Sequence, residues 1–332
     1  MRTRTTVLLS RQETADLLSL EECIAAVERA FKWHGEGRAR PPGILSVPSG
    51  EGAFHIKAGL LEISGKKYFA AKTNGNFFRN SQRFDLPNIV GTIVLCDGEN
   101  GHPLAIMDSI EITIQRTGAA TAVAAKHLSR HPSRVAVICG CGNQGRVQLR
   151  AISKVRSIER AFAYDSDKAT ADRFCTDMSR ELGFDVMPTR DLAEAVPQSD
   201  ICVTCTPSTE YFLKKEYVSP GTFVAAVGAD SEHKQELDPA LMSSAKIVAD
   251  VLEQSATIGD LHHAIEGGWV TRASVHAELG EIVAGKKPGR TADDEIIIFD
   301  STGMALQDVA AAAAIYDKAV ARGRGTRFDF ST

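Results

Sequence analysis

The residues of this sequence whose types and spacing could do chemistry begin with Gly140, Gly142 and Gly145, which stand in G-x-G-x-x-G spacing. Before them, residues 135–139 form an apolar run typical of a buried parallel strand, and after them apolar residues recur at helical intervals. A strand, a glycine turn and a helix in this order are the context of a dinucleotide fingerprint, because the amino end of the helix favours a diphosphate. The alternative is a glycine-rich turn with only a structural role. The residues that we predict to bind the dinucleotide here are Gly140, Gly142, Asn143, Gln144 and Gly145.

An acidic residue, Asp165, follows the next predicted strand. Its distance from the glycine turn is close to the roughly 20 residues at which such folds place the acid that binds the adenosine ribose. A carboxylate accepts hydrogen bonds from the two ribose hydroxyls and repels a 2′-phosphate, so we predict NAD as the cofactor. Lys168, shortly after Asp165, keeps NADP as the less favoured cofactor. The alternative for Asp165 is a surface turn residue.

The elements that must position these residues change in character along the chain. A helix is predicted to begin at the S-x-x-E pattern of Ser19 and Glu22. Residues 44–97 contain short β-branched and aromatic runs separated by Gly, Pro and Asn, which indicates a mixed or antiparallel sheet. From residue 135, strand-like and helix-like segments alternate, and a long alanine-rich helix covers residues 304–322. The predicted fold class is therefore α/β, with a Rossmann-type doubly wound parallel sheet plus a second α+β domain.

Composition excludes several classes of protein. The chain has 332 residues, enough for two domains, and its net charge of −4 gives no basic surplus for a nucleic-acid partner. Its seven cysteines are scattered and odd in number, which favours a reducing compartment over a disulfide framework. No apolar run approaches the roughly 20 residues of a membrane helix, and the first residues do not resemble a signal peptide. We therefore expect a soluble, cytoplasmic protein without a membrane partner.

Several further motifs occur together along nearly the whole chain. They are AKTNG at 71–75, MDS at 107–109, QRTGA at 115–119, VGAD at 227–230, KQEL at 234–237, AELG at 277–280 and FDSTG at 299–303. In this combination the sequence resembles the ornithine cyclodeaminase/mu-crystallin family, which contains amino-acid cyclodeaminases, alanine dehydrogenases, imine reductases and crystallins. The resemblance implies an NAD-binding Rossmann domain at residues 119–305. It also implies that residues 1–118 and 306–332 form a second, substrate-binding domain that makes a homodimer.

The resemblance implies roles for two arginines and one lysine. Arg40 and Arg116 match the arginines with which the family binds a carboxylate, and two guanidiniums can orient one carboxylate through bidentate contacts. The alternative for each arginine is an ordinary surface position. Lys72 lies in a mostly apolar segment, where a lysine must be paired or must extend to solvent. The resemblance makes Lys72 a substrate ligand that polarises the imine or carbonyl, or helps to move protons.

Asp230 follows an apolar strand and a glycine, and the carboxyl end of a parallel strand is where doubly wound sheets place ligands. The resemblance makes it the acid/base near the substrate nitrogen, which takes a proton during amine oxidation and returns one during reduction. The alternative is an aspartate that caps a loop. The resemblance also places the loop at 301–303 near the nicotinamide and the residues after strand 200–205 near the adenosine. The remaining residues predicted to contact the cofactor are Thr206, Pro207, Ser301 and Gly303.

Three spacings could suggest a metal site. The C-x-x-C at 202–205 and the C-x-C at 139–141 lie in segments typical of buried strands, and neither has a second pair. His262 and His263 are adjacent, but the sequence identifies no third partner for them. We therefore predict no metal.

The function predicted is that of an oxidoreductase which moves hydride between NAD(H) and the α-carbon of a small L-amino acid or its imine, as alanine dehydrogenases and imine reductases do. The first alternative is ornithine cyclodeaminase, which forms proline and ammonia while NAD is reduced and reoxidised. Residues 53–58, where the resemblance places an acid for the distal amine, contain none. The second alternative is a non-catalytic, crystallin-like binding protein, against which the joint presence of Lys72, Arg116 and Asp230 argues.

Overall fold

The computed structural model describes residues 5–39 and 43–330. The chain divides into two compact units, the first formed by Met1–Arg116 with Met304–Thr332 and the second by Thr117–Gly303. The boundaries predicted from the sequence differ by two residues, at 118 instead of 116 and at 306 instead of 304. The assignment of dinucleotide binding to the second unit, and of substrate binding and dimerisation to the first, remains a prediction.

Strands and helices occur in both units. In chain order the strands are β1 (Thr6–Leu9), β2 (Gly43–Ser49), β3 (Gly52–Ile63), β4 (Lys66–Asn76), β5 (Ile89–Asp97), β6 (Pro103–Asp108), β7 (Val135–Cys139), β8 (Arg160–Tyr164), β9 (Asp185–Pro188), β10 (Ile201–Thr204), β11 (Phe223–Ala226), β12 (Lys246–Ala249), β13 (Val275–Glu278), β14 (Ile297–Asp300) and β15 (Thr326–Phe328). The α-helices are α1 (Arg11–Leu17), α2 (Leu20–Gly35), α3 (Asn80–Arg83), α4 (Ile110–Leu128), α5 (Asn143–Ser153), α6 (Lys168–Leu182), α7 (Leu192–Ala195), α8 (Pro239–Ser244), α9 (Leu252–Ile258), α10 (Asp260–Glu266), α11 (Leu279–Val283) and α12 (Ala305–Arg322). Among the described residues, no helix has the length and apolar character needed to span a bilayer.

The sheet of the first unit has the strand order β15-β1-β6-β5-β4-β3-β2. Strands β2 to β6 pair antiparallel with their neighbours, β1 runs parallel to β6, and β15 runs antiparallel to β1. The sheet is therefore mixed, as predicted. On β4 every second residue from Tyr68 to Asn74 is buried, which is the period of a strand with one covered face. Lys72 belongs to that buried set, opposite Lys57 on β3.

Two helices of the first unit cover this sheet and each other. Helix α2 begins at a capping box formed by Ser19 and Glu22, which confirms the predicted start. The alanine-rich α12 packs against α2, β3 and β4. Its small side chains permit a close approach, and a Cβ added to Gly59 would lie 3.0 Å from Leu306 Cδ2. The first turn of α12 is therefore held directly against the buried face of the sheet.

The sheet of the second unit has the order β13-β12-β14-β11-β10-β7-β8-β9, and all its strand pairs are parallel. From β7 the chain first builds outward to β9 and then returns to place β10 on the other side of β7. This reversal is the topological switch point beside which doubly wound sheets bind ligands. Strands β10, β11 and β14 are buried along their whole length, which requires cover on both faces. The predicted doubly wound parallel sheet is confirmed.

Candidate functional site

The three glycines between β7 and α5 each meet a different local constraint. Gly140 has φ of +102°, and a Cβ there would also lie 2.7 Å from the carbonyl oxygen of Cys205. A Cβ on Gly145 would lie 2.0 Å from the carbonyl oxygen of Gly140, so only glycine lets α5 begin this close to the strand. By contrast, a Cβ on Gly142 would meet no protein atom within 4 Å. The protein therefore needs glycine at 140 and 145, whereas the open space at 142 is suited to a ligand.

Helix α5 begins immediately after this turn. Gly142 is its N-cap, and no side chain accepts a hydrogen bond from the first turn there. Asn143 and Gln144 occupy that first turn, with Asn143 exposed and Gln144 half-buried. The amino end of a helix without a side-chain cap presents N–H groups and a positive dipole end, and both favour an anion.

Asp165 lies at the carboxyl end of β8 and braces the glycine turn. Its Oδ2 accepts a hydrogen bond from the Cys141 backbone N–H at 2.8 Å, and its Oδ1 accepts one from Asp167 at 2.9 Å. The carboxyl also lines a cavity of about 380 Å³, together with Lys168 and Arg190. The sequence analysis considered Lys168 here but missed Arg190, which reaches this cavity only through the position of β9 in the sheet.

A buried glutamate, Glu236, ties together the loops that follow β10 and β11. Its Oε1 accepts hydrogen bonds from the N–H of Thr206 at 2.6 Å and from the Thr206 hydroxyl at 2.7 Å, and its Oε2 accepts one from the Gly228 N–H at 2.9 Å. A Cβ on Gly228 would lie 2.5 Å from Glu236 Oε1, so the glycine makes room for the carboxyl. Pro207, next to Thr206, is exposed. The sequence analysis gave Glu236 no role, although it belongs to the KQEL motif.

Asp230 lies in the loop after β11, beyond Gly228. Its backbone N–H donates to the Gly228 carbonyl at 3.0 Å, and its Oδ1 lies 2.6 Å from the Lys234 Nζ. The side chain is 48% exposed, so its carboxyl is accessible from solvent. The ammonium of Lys234 stabilises the charged form of this carboxylate and fixes its orientation.

The loop at residues 301–303 is held by a second buried acid. Asp250 Oδ1 accepts a hydrogen bond from the Thr302 hydroxyl at 3.0 Å, and its Oδ2 accepts one from the Gly303 N–H at 2.6 Å. The Ser301 N–H donates to the carbonyl of Ala226 at the end of β11. The loop therefore has a defined conformation at the carboxyl ends of β11, β12 and β14.

Two more acids lie fully buried behind these loops. Asp260 Oδ1 accepts hydrogen bonds from the N–H groups of Glu236 and Leu237, and Asp300 Oδ2 accepts one from Leu261. Burial, and then the nearby charge of Glu236, raise the pKa of Asp260 to about 7. Burial and the charge of Asp260 likewise raise the pKa of Asp300. This end of the sheet thus retains protons at a pH at which ordinary carboxyls are ionised.

In the first unit, the structure brings Lys72 and Arg116 together around one carboxylate. Asp308, in the first turn of α12, places its Oδ1 2.9 Å from Lys72 Nζ and 3.2 Å from Arg116 Nε. Arg116 also donates from Nη1 to Gln307 Oε1 at 2.9 Å, and Lys72 donates to the Thr113 hydroxyl at 3.3 Å. Lys72, Arg116 and Asp308 are all buried. Two buried cations share one buried anion, so the cluster carries an excess positive charge.

This cluster changes the proton affinity of Lys72. Burial lowers the pKa of Lys72 from 10.5 to about 7, and the charge of Arg116 adds to that effect. Asp308 acts in the opposite direction and favours the ammonium form. A lysine with a pKa near 7 can both donate and accept a proton at neutral pH. The sequence analysis missed Asp308, because a single acid in an alanine-rich helix gives no signal of what that helix packs against.

The remaining predicted substrate residue, Arg40, lies outside the described residues. The residue facing Lys72 across the strand pair is a cation, Lys57 on β3. The segment that the cyclodeaminase alternative would need for an acid therefore places positive charge beside Lys72 instead.

The expectation that His262 and His263 lack a third partner was wrong. Glu266 Oε2 lies 3.4 Å from His262 Nε2, since residues four apart lie on one side of a helix. The ligand atoms of His262, His263 and Glu266 all lie within 4.8 Å of one another, a spacing that a metal ion could bridge. His263 Nε2 is already 2.9 Å from the carbonyl oxygen of Lys234. All seven cysteines are free thiols, and Cys139 and Cys202 lie in the buried strands expected for them.

A parallel sheet with a glycine turn at its switch point, joined in one chain to a buried lysine–arginine cluster, defines a class of dinucleotide-binding proteins that act on small anions. Residues 4–323 match the model of the ornithine cyclodeaminase/mu-crystallin family, and the chain belongs to this family. This confirms the resemblance drawn from the sequence motifs.

Similar proteins give this membership more detail. The alanine dehydrogenase of Archaeoglobus fulgidus is 38% identical over 329 residues, which cover 98% of both chains. An archaeal alanine dehydrogenase dimer with bound NAD is similar in structure, with a TM-score of 0.94 and 37% identity over 98% of this chain and 99% of that one. The Thermococcus litoralis Delta(1)-pyrroline-2-carboxylate reductase in complex with NADH and L-proline has a TM-score of 0.91 and 35% identity over 97% and 99% of the two chains.

Proposed function

We propose that this protein is an NAD(H)-dependent oxidoreductase that interconverts a small L-amino acid and its imino or 2-oxo acid, in the manner of an alanine dehydrogenase or imine reductase. The observation that carries this proposal is the buried pair of Lys72 and Arg116, which share the single carboxylate of Asp308. Because a buried excess of positive charge must be compensated, this cluster suits a small anionic ligand such as an amino-acid carboxylate.

The residues around the glycine turn fit a dinucleotide. The open space at Gly142 and the amino end of α5 suit a diphosphate, and Asp165 suits the adenosine ribose. The loops at Thr206–Pro207 and Ser301–Gly303 follow neighbouring parallel strands, where such sheets place the rest of the cofactor. The Asp165 carboxylate disfavours a 2′-phosphate, whereas Lys168 and Arg190 would attract one, so NADP remains the alternative.

Each proposed residue has a defined task. When bound, the cofactor accepts or supplies the hydride. Arg116, with Arg40, orients the substrate carboxylate through guanidinium hydrogen bonds. Lys72, as an ammonium, donates a hydrogen bond or a proton to the imine nitrogen or carbonyl oxygen, and as an amine takes it back. Asp230 accepts a proton from the substrate amine during oxidation and returns it during reduction, and Lys234 holds its carboxylate in place.

The experiment that tests this function measures the cofactor and the products separately. The protein is mixed with NAD⁺ and a panel of L-amino acids, and with NADH plus 2-oxo acids and ammonium or methylamine. Net formation or loss of NADH with one small amino acid or its oxo acid is the expected result. No net change with any substrate, while dinucleotide binding is intact, would instead indicate the non-catalytic binding protein.

Ornithine cyclodeaminase is the second outcome of the same experiment. It would produce proline and ammonia from ornithine without net NADH. The structure offers little support for this reaction, because the facing segment of β3 contributes Lys57 and no acid for the distal amine of ornithine. Proline formation without net NADH would overturn the dehydrogenase proposal.

We also propose that the protein is a homodimer formed through its first unit. That unit exposes large apolar side chains on the edge strand β2 and in the segment around residue 85, each more than 40% exposed. Clusters of exposed apolar side chains of this kind mark protein interfaces. The side chains are Ile44, Leu45, Val47, Phe84 and Leu86. The seven free thiols agree with the further proposal of a reducing, cytoplasmic location.

A further inference from the structure

We propose that Asp308 is a positioning residue, which holds Lys72 and Arg116 in place for the substrate and keeps Lys72 protonated in the empty enzyme. The proposal rests on the proposed function for its consequences in turnover, but the contacts on which it is based do not depend on that function. No motif in the sequence assigns any role to Asp308.

The geometry around Asp308 is that of a shared counter-ion. Its Oδ1 lies 2.9 Å from Lys72 Nζ and 3.2 Å from Arg116 Nε, and its side chain is 2% exposed. Its Oδ2 is also buried, and it has no hydrogen-bond partner among the described residues. A carboxylate oxygen buried without a partner is costly, so its persistence here indicates that the two cations compensate for it.

The position of Asp308 in its helix reinforces this role. It lies in the first turn of α12, where the helix dipole stabilises a negative charge. The preceding residue, Gln307, accepts a hydrogen bond from Arg116 Nη1. One turn of α12 therefore fixes the strand residue Lys72 and the α4 residue Arg116 relative to each other.

The charges facing Lys72 come from three elements besides its own. Arg116 on α4 and Lys57 on β3 lower the pKa of Lys72, and Asp308 on α12 is the only group in this set that raises it. Cys23 on α2 lies near Arg116 and Asp308, but burial raises its pKa to about 12, so it is neutral here. Burial opposes the ionised form of Asp308, but the charges of Lys72 and Arg116 outweigh it and lower the pKa of Asp308.

Replacing Asp308 by asparagine would leave two adjacent buried cations without an anion. Every remaining influence on Lys72 would then disfavour the ammonium, so its pKa would fall further. An opposite charge at this distance changes a pKa by about 1–3 units, so a shift of that size is expected in Asp308→Asn. Since the reductive reaction needs the ammonium, the pH above which reduction slows would move down by the same amount.

The test measures Lys72 directly, without substrate or turnover. The protein is labelled with ¹³C at the lysine ε-carbon, and the Lys72 signal is assigned from its loss in Lys72→Met and then followed against pH. Titration near pH 7 in the wild type, and about 1–3 units lower in Asp308→Asn, is the expected result. Asp317→Asn is the matched control on the same helix, because Asp317 bonds the Tyr68 hydroxyl instead. It should leave the Lys72 titration unchanged.

A second measurement on the wild type does not require the variant to fold. The ¹³C carboxyl signal of Asp308 should change as Lys72 loses its proton, whereas that of Asp317 should not. An unchanged Lys72 titration in folded Asp308→Asn, or an Asp308 signal insensitive to Lys72, would overturn the role of Asp308. If both signals behave as expected but no amino or oxo acid changes NADH in the wild type, the proposed function fails and the role of Asp308 as counter-ion stands.

Turnover separates a positioning role from a purely structural one. Asp308→Asn should lower kcat for reduction at pH 7.5 by about tenfold or more per unit of lost Lys72 protonation, with the loss recovered toward lower pH. Asp308→Glu, which keeps the charge, should keep the wild-type pH profile. A loss of kcat that is equal at every pH would indicate that the variant only damages the fold, and would also overturn the proposal.

Discussion

Lys72 and Asp230, the two residues proposed to move protons, occupy opposite environments. Lys72 is buried and its pKa is lowered to about 7, whereas the side chain of Asp230 is 48% exposed and paired with Lys234. A buried lysine can change its protonation state at neutral pH, and an accessible carboxylate can exchange a proton with solvent. The two residues therefore have complementary properties for an amine–imine reaction, in which one proton must leave and another must be returned.

The first prediction at the scale of the residue concerns Asp230. Asp230→Asn keeps the shape of the side chain and removes its ability to accept a proton, so kcat should fall by about 10²–10⁴-fold. Dinucleotide binding, measured by fluorescence titration with NADH, should be retained. Glu232→Gln is the matched control in the same loop, because Glu232 is exposed and contacts only His233 among the printed ion pairs. Full activity in Asp230→Asn would exclude an acid/base role.

At the scale of the element, the carboxyl ends of the parallel strands are joined by buried acids. Glu236 holds the loops after β10 and β11, and Asp250 holds the loop after β14. Asp260 in turn holds the backbone of Glu236. Loops that would otherwise be mobile are therefore fixed by charge-assisted hydrogen bonds to the rigid sheet, which is what a preorganised binding site requires.

Two glycine variants should separate binding from folding in the turn before α5. Gly142→Ala adds a methyl group that meets no protein atom, so the melting temperature should change little while the affinity for NADH falls by about tenfold or more. Gly145→Ala places a Cβ 2.0 Å from the Gly140 carbonyl oxygen, so it should lower the melting temperature markedly. Thermal unfolding and NADH titration of both variants provide the check. Unchanged NADH affinity in Gly142→Ala would place the diphosphate elsewhere.

The buried acids predict a pH dependence of stability. The pKa of Asp260 is raised from 3.8 to about 7, so between these values the folded protein holds a proton that the unfolded chain has released. The stability contributed by Asp260 is therefore fully present below pH 3.8 and is lost as the pH rises through about 7.

Asp260→Asn removes this titration and keeps an oxygen acceptor for the two backbone N–H groups. Its melting temperature relative to the wild type should therefore rise by a few degrees from pH 5 to pH 8, because about 1 kcal/mol corresponds to about 2–4 °C in domains of this size. Asp238→Asn, which replaces the exposed-end cap of α8, is the control and should show no such trend. A difference that stays constant with pH would contradict the raised pKa.

At the scale of the whole molecule, the two units differ in what they expose. The second unit buries the strands of its sheet, whereas β2 of the first unit is exposed along its whole length and ends the sheet as an edge strand. An exposed edge that carries Ile44, Leu45 and Val47 would favour aggregation in an isolated chain. A partner that covers this edge is therefore expected, and a second copy of the chain is the one proposed.

The corresponding prediction is that charge on this edge breaks the dimer. Leu45→Glu should convert the dimer to a monomer in size-exclusion chromatography with light scattering, because it introduces two unpaired charges into a symmetric apolar interface. Met187→Glu, at an exposed apolar residue of the second unit, is the control and should leave the dimer intact. A wild-type monomer, or a dimer unaffected by Leu45→Glu, would exclude this interface.

Local patterns in the sequence were sufficient to predict much of this molecule. The glycine spacing after an apolar run predicted the β7–α5 turn, the S-x-x-E pattern predicted the start of α2, and the alternation of segments predicted the parallel sheet. These features depend on residues close together in the chain, whose conformational preferences are local. The family followed from the combination of its motifs.

The tertiary structure alone decided which charges meet. Asp308 lies beside Lys72 because α12 packs across β4, and Glu236 binds Gly228 because two loops return to the same end of the sheet. Glu266 joins the two histidines through the turn of a helix whose extent the sequence did not predict. A charge is stabilised by whatever lies within a few ångströms in space, and residues 236 positions apart in the chain become neighbours only when the elements that carry them pack together.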